Sequence, residues 1–233
     1  MRKLFKQLIS FFLIPLTRWY LRKERNYTYH HTTVTILPGV FHPGLFYSTK
    51  FLIDFLLTQP IRNKSLLELG CGTGLISIIS AKEGAIVTAS DISEQAIENV
   101  TANAKLNQLS ITITLSDVFD LIEQKQFDWI IINPPYYART PKNEAEHAWH
   151  CGENFEYFHK LFRSLTNYIH PTSQVIMVLT QGCELEKIFE VAVQYGFQFE
   201  LLMERNVLFD GKDFLYRIKH ADYSFVGITI ALR

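Results

Sequence analysis

The sequence has few cysteines, and their arrangement excludes two kinds of site. Three occur in 233 residues, at Cys71, Cys151 and Cys183. An odd number of widely separated cysteines, with no Cys-x-x-Cys pair, argues against a disulfide framework and favours a cytoplasmic location. Metal-ligand spacings are also lacking. We interpret His30, His31 and His42 as residues of solvated loops, and predict no metal.

An excess of either charge is also lacking, since Lys plus Arg and Asp plus Glu both number 23. This balance excludes a general affinity for polyanions. The charges are nevertheless unevenly placed, because residues 26 to 233 carry 16 basic and 22 acidic side chains, a net charge of −6. Such a body suits a protein or small-molecule substrate better than a long nucleic acid. Seven basic residues precede it, at Arg2, Lys3, Lys6, Arg18, Arg22, Lys23 and Arg25.

No apolar run is long enough to cross a membrane. The uncharged stretch from Gln7 to Thr17 is shorter than the roughly 20 residues that a spanning helix needs. No Ala-x-Ala-like cleavage site follows it. Apolar residues at helical spacing predict a helix within residues 4–21 that packs on the domain or contacts the substrate; contact with a membrane surface or partner is the alternative. We therefore divide the chain into a basic, apolar extension, 1–25, and a single domain, 26–233.

The most informative stretch is Leu66 to Gly74, where three glycines follow an apolar run. The pattern predicts a buried strand, a glycine loop and then a helix, with backbone N–H groups directed into a crevice at the strand's carboxyl end. Such a loop is unspecific by itself. About 20 residues further on, Asp91 ends a second apolar run, where an acid reaches ribose hydroxyls. The alternative is a turn or N-cap acid before a helix that starts near Ser93.

Beyond this loop, helical and strand patterns alternate regularly, which is typical of an α/β fold with a mostly parallel sheet covered on both faces. A short strand at Thr33–Ile36 and a helix from Lys50 to Leu57 precede it. We expect a final strand pair at 197–203 and 224–232, with an extra strand around 214–218. The remaining helices are predicted at 74–83, 94–107, 154–169 and 184–195, and the remaining strands at 66–69, 85–90, 111–115, 127–132 and 174–180.

Four ordered motifs, each at the end of an apolar run, carry a family resemblance. They are Glu68-Leu-Gly-Cys-Gly-Thr-Gly74, Asp91, Ser116-Asp-Val118 and Asn133-Pro-Pro-Tyr136. Together they resemble class I S-adenosylmethionine-dependent methyltransferases, over about residues 35 to 205. The resemblance implies a Rossmann-like, seven-stranded sheet with an antiparallel C-terminal hairpin, and S-adenosyl-L-methionine as cofactor. The loop differs from the Gly-x-Gly-x-x-Gly fingerprint, which argues against a nicotinamide enzyme.

The resemblance also implies cofactor-binding residues. Glu68 would orient the loop or contact the methionine amino group. Asp117 would meet the adenine amino group and Val118 the ring, although Asp117 could equally be a turn acid. Further cofactor-binding positions are Gly70, Cys71, Gly72, Thr73, Gly74, Asp91, Ile92 and Asn133. Phe41, Tyr47, Ser48 and Thr49 are either lid or cofactor neighbours, or an N-cap with aromatic residues in the core.

Asn133, Pro134, Pro135 and Tyr136 are the predicted catalytic residues. An amide or aryl-amine nitrogen is a poor nucleophile because its lone pair is delocalised. The Asn133 side-chain oxygen and the Pro134 carbonyl can accept its two N–H hydrogens and so shift electron density onto nitrogen. Proline stiffens this backbone, and Tyr136 can stack on a planar group. No strong general base is then needed.

Two subfamilies suggest different macromolecular substrates. The segment Glu146 to Asn154 resembles release-factor glutamine methyltransferases, although only Gly152 and Asn154 match their Gly-Gly-x-(Asp/Asn)-Gly pattern. The segment Leu37 to Phe41 resembles ribosomal RNA guanine methyltransferases, which typically carry Phe where this chain has Tyr136. We favour a protein glutamine amide, with an RNA base amino group as the alternative. A cofactor-binding adaptor with little turnover is a third hypothesis.

Overall fold

The computed structural model describes residues 23–142, 144–207 and 211–221. The predicted helix at 4–21 and the predicted strand at 224–232 lie outside these residues, and the division at residue 25 stays a prediction. The strands are β1 (Arg25–Tyr29), β2 (Thr32–Ile36), β3 (Ser65–Leu69), β4 (Ile86–Asp91), β5 (Thr112–Leu115), β6 (Trp129–Ile132), β7 (Gln174–Thr180), β8 (Phe197–Val207) and β9 (Gly211–His220). The α-helices are α1 (Tyr47–Leu56), α2 (Leu75–Lys82), α3 (Glu94–Leu106), α4 (Glu156–Leu165) and α5 (Leu185–Gln194), with 3-10 helices at Glu144–Ala148 and Thr166–Tyr168.

Seven strands form one sheet in the order β5-β4-β3-β6-β7-β9-β8. The strands from β5 to β7 pair in parallel, whereas β9 is antiparallel to both of its neighbours. This confirms the predicted α/β architecture with a C-terminal hairpin. After β5 the chain returns to the other side of β3, which puts the topological switch point between β3 and β6.

One strand of the hairpin differs from the prediction. The described partner of β8 is β9, at Gly211–His220, whereas the run expected in that place, 224–232, lies outside the described residues. The extra strand expected around 214–218 is the middle of β9. Residues 208–210 alone separate the two strands, a length that hairpins commonly have, whereas the predicted pairing needed a connection of about 20 residues. Apolar periodicity identified both runs, and it does not indicate which one pairs.

Alternation along the central strands builds a core on each face of the sheet. Leu67, Ile130 and Met177 lie on one face, packed in a cluster that includes buried residues of α4 and α5. Leu66 and Ile131 lie on the other face, with buried residues of α1 and α2. Because both faces are covered, the carboxyl edge of the parallel strands is left to form a site.

A two-stranded hairpin precedes the sheet, in which β1 pairs antiparallel with β2. The sequence predicted only β2, because the residues of β1 are largely polar. His30 and His31 form the turn, with positive φ angles of 43° and 57°, as a two-residue hairpin turn requires. Within the described residues, no group of three or more His, Cys, Asp or Glu side chains is arranged to hold a metal ion. No helix in this part of the chain is long and apolar enough to span a bilayer.

Candidate functional site

A cavity of about 500 Å³ lies at the carboxyl ends of β3, β4, β5 and β6. This volume falls within the range of small-molecule pockets, roughly 300 to 1,000 Å³. The sequence separates the predicted site residues by up to 68 positions, and the fold brings them to one edge. The predicted residues that line the cavity are Glu68, Gly70, Cys71, Gly72, Thr73, Asp91, Ile92, Asp117, Val118, Asn133, Pro134, Pro135 and Tyr136.

Gly74 has a different place from the other loop glycines. Gly70 and Gly74 have nearly equal φ angles, 74° and 75°, which only glycine adopts readily. A Cβ at Gly74 would lie 2.3 Å from Cγ2 of Val100 on α3, whereas a Cβ at Gly70 would meet no heavy atom of the described structure within 4 Å. Gly74 therefore allows α2 to approach α3 closely, and Gly70 keeps the cavity wall open.

Asp91 fixes the glycine loop through its carboxylate. One oxygen accepts the Gly72 N–H at 2.8 Å, and the other accepts the Ser93 N–H at 3.0 Å. The N-cap of α3 is Ser93, whose hydroxyl accepts the Ala96 N–H at 3.3 Å. The turn-acid interpretation of Asp91 is thus realised. Each carboxylate oxygen has more than one lone pair, so Asp91 can also accept hydrogen bonds from a ligand in the cavity.

Glu68 is a buried carboxyl at the floor of the cavity. Its Oε2 accepts hydrogen bonds from the backbone N–H of Ser77, at 2.8 Å, and from the Ser77 hydroxyl. Burial raises the pKa of Glu68 to about 8, and the nearby Asp91 charge adds to the effect. Glu68 therefore ties β3 to the first turns of α2, and its ionisation depends on what cation lies nearby.

Asp117 and Val118, the residues predicted to contact adenine, lie in a strained turn after β5. Val118 has a φ of 51°, which is unusual for a β-branched residue and occurs mostly where function or packing demands it. The buried Ser116 hydroxyl holds this turn by donating to the Val118 carbonyl and accepting the Leu121 N–H. Asp117 is ion-paired to Lys160 of α4, which also bridges to Asp120. Lys160 thus holds the Asp117 side chain in a fixed position at the cavity wall.

The Asn133 side chain is oriented by a residue far away in sequence. Its Nδ2 donates to Oγ1 of Thr49, 84 residues earlier, at 3.4 Å. The interpretation of Ser48 or Thr49 as an N-cap is wrong, because α1 begins at Tyr47 with Phe46 as N-cap. Both residues instead line the cavity, whereas Tyr47 lies outside it. With Nδ2 directed to Thr49, the carbonyl oxygen of Asn133 is the atom left to accept from a ligand.

Three aromatic rings cover the cavity, and we call Phe41, Phe46 and Trp149 the aromatic cover. The Phe41 and Phe46 rings stack with centroids 4.7 Å apart, and Trp149 lies 5.2 Å and 4.7 Å from them. Trp149 is held by its backbone, since its carbonyl accepts the Tyr137 N–H at 2.9 Å. The segment after Pro-Pro-Tyr thereby returns over the site. Phe41 was among the predicted lid residues; Phe46 and Trp149 were not.

Two further cavity residues, Tyr157 and Lys160 of α4, were also missed. No short motif marks them, because they reach the site only through the packing of α4 on the sheet. Burial raises the pKa of the Tyr157 hydroxyl, which therefore stays protonated. Burial also raises the pKa of the Cys71 thiol well above its usual value. A neutral Cys71 is a poor nucleophile, so we assign it no redox role.

The family model of the methyltransferase small domain matches residues 31–196. This range contains every motif described above. The chain belongs to this family. It is accordingly an S-adenosylmethionine-dependent methyltransferase, and the predicted enzyme class and cofactor are confirmed.

Relatives of this methyltransferase are named for two kinds of substrate. A proposed protein N5-glutamine methyltransferase of Methanocaldococcus jannaschii is 32% identical over 64% of this chain and 79% of its own. A ribosomal RNA small subunit methyltransferase C of Photobacterium profundum is 29% identical over 77% of this chain, which spans only 49% of that relative. The T. thermophilus 16S rRNA N2 G1207 methyltransferase, solved with AdoMet and guanosine, has a TM-score of 0.60 at 20% identity, covering 83% of this chain and 50% of that one.

The cavity of this methyltransferase suits its cofactor on chemical grounds. Gly70 and Gly72 provide a wall without side chains for close approach of a ligand. Asp91 and Asp117 offer carboxylates at two separate walls, and Glu68 offers a third acid at the floor. A cationic, hydroxylated ligand with an amino-bearing planar ring finds a partner for each group among these residues.

Proposed function

We propose that the chain methylates a planar NH2 nitrogen, and that its substrate is a glutamine amide of a protein. Asn133, Pro134 and Tyr136 would bind the acceptor, with Pro135 stiffening the turn. Glu68, Asp91, Asp117 and the glycine loop would hold the cofactor. When bound, S-adenosylmethionine supplies an electrophilic methyl group.

The contact between Thr49 and Asn133 carries this proposal. Because the Nδ2 group of Asn133 donates a hydrogen bond to Thr49 Oγ1, the Oδ1 atom of Asn133 is directed to accept one N–H of the acceptor amide. The Pro134 carbonyl accepts the other N–H. Together the two acceptors make the nitrogen lone pair more available for attack, and they hold the nitrogen in one position before reaction. Tyr136 covers one face of the planar group, and the proton leaves after the nitrogen becomes cationic.

Packing around the acceptor position supports a planar group of limited size. Tyr136 is half-buried and lies 4.9 Å from the edge-on ring of Tyr137, so its orientation is restricted. Phe41, Phe46 and Trp149 line the same cavity, and their packed rings limit the room beside an acceptor group. A side-chain amide projecting from a protein segment is narrow enough for such an opening. A nucleobase would have to be turned out of its stack first.

Labelling tests the proposal directly. The purified protein is incubated with methyl-labelled S-adenosylmethionine and an extract depleted of endogenous methylation, and the product is treated with protease or with nuclease. We expect protease to release the label and complete digestion to yield N5-methylglutamine. Label released by nuclease instead would contradict the protein substrate while leaving the reaction type intact.

A matched pair of variants at Thr49 tests the orienting contact. Thr49→Ser keeps Oγ and should retain most of the turnover, whereas Thr49→Val keeps the shape and removes the acceptor. We expect Thr49→Val to lower kcat about tenfold, with little change in the Kd for S-adenosylhomocysteine. Equal kcat values for the two variants would show that the Thr49 hydroxyl does not orient Asn133 for catalysis.

An RNA base amino group is the second candidate. The Photobacterium relative and the T. thermophilus structure support it, since both are named for ribosomal RNA. The basic residues of 1–25 would then contact phosphates. Deleting residues 1–22 should in that case weaken RNA binding and lower its salt dependence. If membrane partitioning is lost and turnover is unchanged, the segment is an anchor instead.

A further inference from the structure

Three asparagines on one side of α3, two within the helix and one at its C-cap, contact the free edge of β2, and we call them the asparagine ladder. They are Asn99, Asn103 and Asn107, spaced four residues apart and therefore aligned along one side of the helix. Asparagine is a poor helix former because its amide competes for backbone hydrogen bonds. The repetition places side-chain amides beside Thr33 and Thr35 of β2 and beside Leu37, which follows the strand.

The bonds of the ladder replace a missing neighbouring strand. Asn103 Oδ1 accepts the Thr35 N–H and Asn103 Nδ2 donates to the Thr35 carbonyl, both at 2.8 Å. Asn99 accepts the Leu37 N–H at 3.0 Å and donates to the Thr35 carbonyl at 2.8 Å. Asn107 donates to the Thr33 carbonyl at 3.0 Å. Backbone groups that would be left unpaired at an edge are thus bonded to side chains.

Asn103 has a second partner on the opposite side. Its Nδ2 also donates to the carbonyl of Thr73, at 2.9 Å, so both of its amide hydrogens and its oxygen are used. Thr73 belongs to the glycine loop that lines the cavity. Asn99 and Asn103 are both fully buried, so water cannot substitute for these bonds. One side chain therefore joins the glycine loop to β2.

The segment that follows β2 carries part of the aromatic cover. Leu37, held by Asn99, precedes Gly39, Val40 and Phe41, and all of the latter three line the cavity. Whatever fixes the end of β2 consequently fixes the position from which Phe41 and Phe46 reach Trp149. The ladder is thus bonded to the glycine loop of the cavity and to the segment that leads into the cover.

We propose that the asparagine ladder is a positioning device that couples the glycine loop to the aromatic cover, with Asn103 as the coupling residue. Ordering of the glycine loop by a ligand is transmitted through Thr73 and Asn103 to Thr35 and Leu37. The cover then becomes ordered together with the loop. The inference depends on the proposed location of the cofactor in this cavity.

Hydrogen exchange of the unmodified chain gives the first test, with S-adenosylhomocysteine as the probe. The Thr35 and Leu37 amides are bonded to the ladder and do not line the cavity. We expect saturating ligand to slow their exchange about tenfold. Protection of residues 70–74 without protection of Thr35 and Leu37 would overturn the coupling. A lack of measurable binding would instead contradict the proposed cofactor site.

A variant pair gives the second test. Asn103→Leu removes the bonds to both Thr73 and Thr35, whereas Asn107→Leu removes a bond to β2 and leaves the glycine loop untouched. We expect Asn103→Leu to raise the Kd for S-adenosylhomocysteine about tenfold and Asn107→Leu to change it less than twofold. Thermal unfolding shows whether each variant is folded at the temperature of the titration. Equal Kd values in two folded variants would reduce the ladder to a structural element, and the exchange test stands even if Asn103→Leu does not fold.

Discussion

The two sides of the cavity are held in different ways. On one side are the glycine loop, Asp91 and the turn at Val118, where we propose that the cofactor binds and which we call the cofactor wall. These residues are fixed by short-range hydrogen bonds at neighbouring strand ends. The aromatic cover depends on contacts among Phe41, Phe46 and Trp149, which come from two distant segments. Hydrogen-bonded turns have one geometry, whereas packed rings can separate and return. The wall is therefore suited to recognising a constant ligand, and the cover to admitting and enclosing it.

Asn133 also lines the cavity, and its replacement should have the largest effect. We expect Asn133→Ala to lower kcat by about 100-fold or more, since a positioned polar group in an active site is worth roughly that much. The Kd for S-adenosylhomocysteine should change much less. Single-turnover labelling and calorimetry measure the two quantities. Retention of half the turnover would show that the acceptor is bound elsewhere.

Substitutions at two glycines of the cofactor wall should distinguish an effect on stability from an effect on ligand binding. Gly74→Ala would put a Cβ 2.3 Å from Val100 Cγ2, and we expect it to lower the free energy of unfolding by about 3 kcal/mol. Gly70→Ala has the same backbone strain without the clash and should cost about 1 kcal/mol, while narrowing the cavity and weakening ligand binding. Urea denaturation measures the difference. Adding Val100→Ala should restore part of the loss at Gly74 and none at Gly70.

The same contrast explains what the sequence could predict. The glycine loop, Asp91 and Asn133 follow apolar runs directly, and the rules of parallel sheets bring strand ends to one edge, so their grouping followed from local patterns. The bond from Asn133 to Thr49 spans 84 residues, and that from Asn103 to Thr35 spans 68. Such contacts depend on how α1 and α3 pack, which periodicity does not specify.

The pH dependence of stability tests the burial of Glu68. Because its pKa is raised to about 8, the folded state holds a proton that the unfolded state loses near pH 4.5. The free energy of unfolding should therefore fall as pH rises from about 4.5 to about 8, by at most about 1.4 kcal/mol per pH unit. Glu68→Gln cannot ionise and should remove this slope. Denaturation of the unmodified protein and of Glu68→Gln, both without ligand, at pH 5.5 and 8 measures the slope. The same change in the free energy of unfolding for both would show that Glu68 is ionised throughout.

Loosening the aromatic cover should speed ligand release while leaving the cofactor wall largely unchanged. Trp149→Ala removes the contacts with both Phe41 and Phe46, each worth about 0.5–1.5 kcal/mol. We expect the dissociation rate of S-adenosylhomocysteine to rise about tenfold, measured by surface plasmon resonance. Trp149→Phe retains a ring, so its dissociation rate should stay close to that of the unmodified protein. If Trp149→Ala dissociates at the original rate, the cover does not close over this ligand.

The smallest effect is expected at Lys160, whose ion pairs with Asp117 and Asp120 are partly exposed. Water and salt screen such pairs, so each contributes at most about 1 kcal/mol. Lys160→Met should raise the Kd for S-adenosylhomocysteine about threefold, and Lys160→Arg, which keeps the charge, should leave it unchanged. Methylthioadenosine lacks the amino-acid part, so its Kd should respond to Lys160→Met and not to Glu68→Gln. A rise above tenfold with Lys160→Met would mean that Lys160 contacts the ligand itself, and the adenine end of the cavity would have to be reassigned.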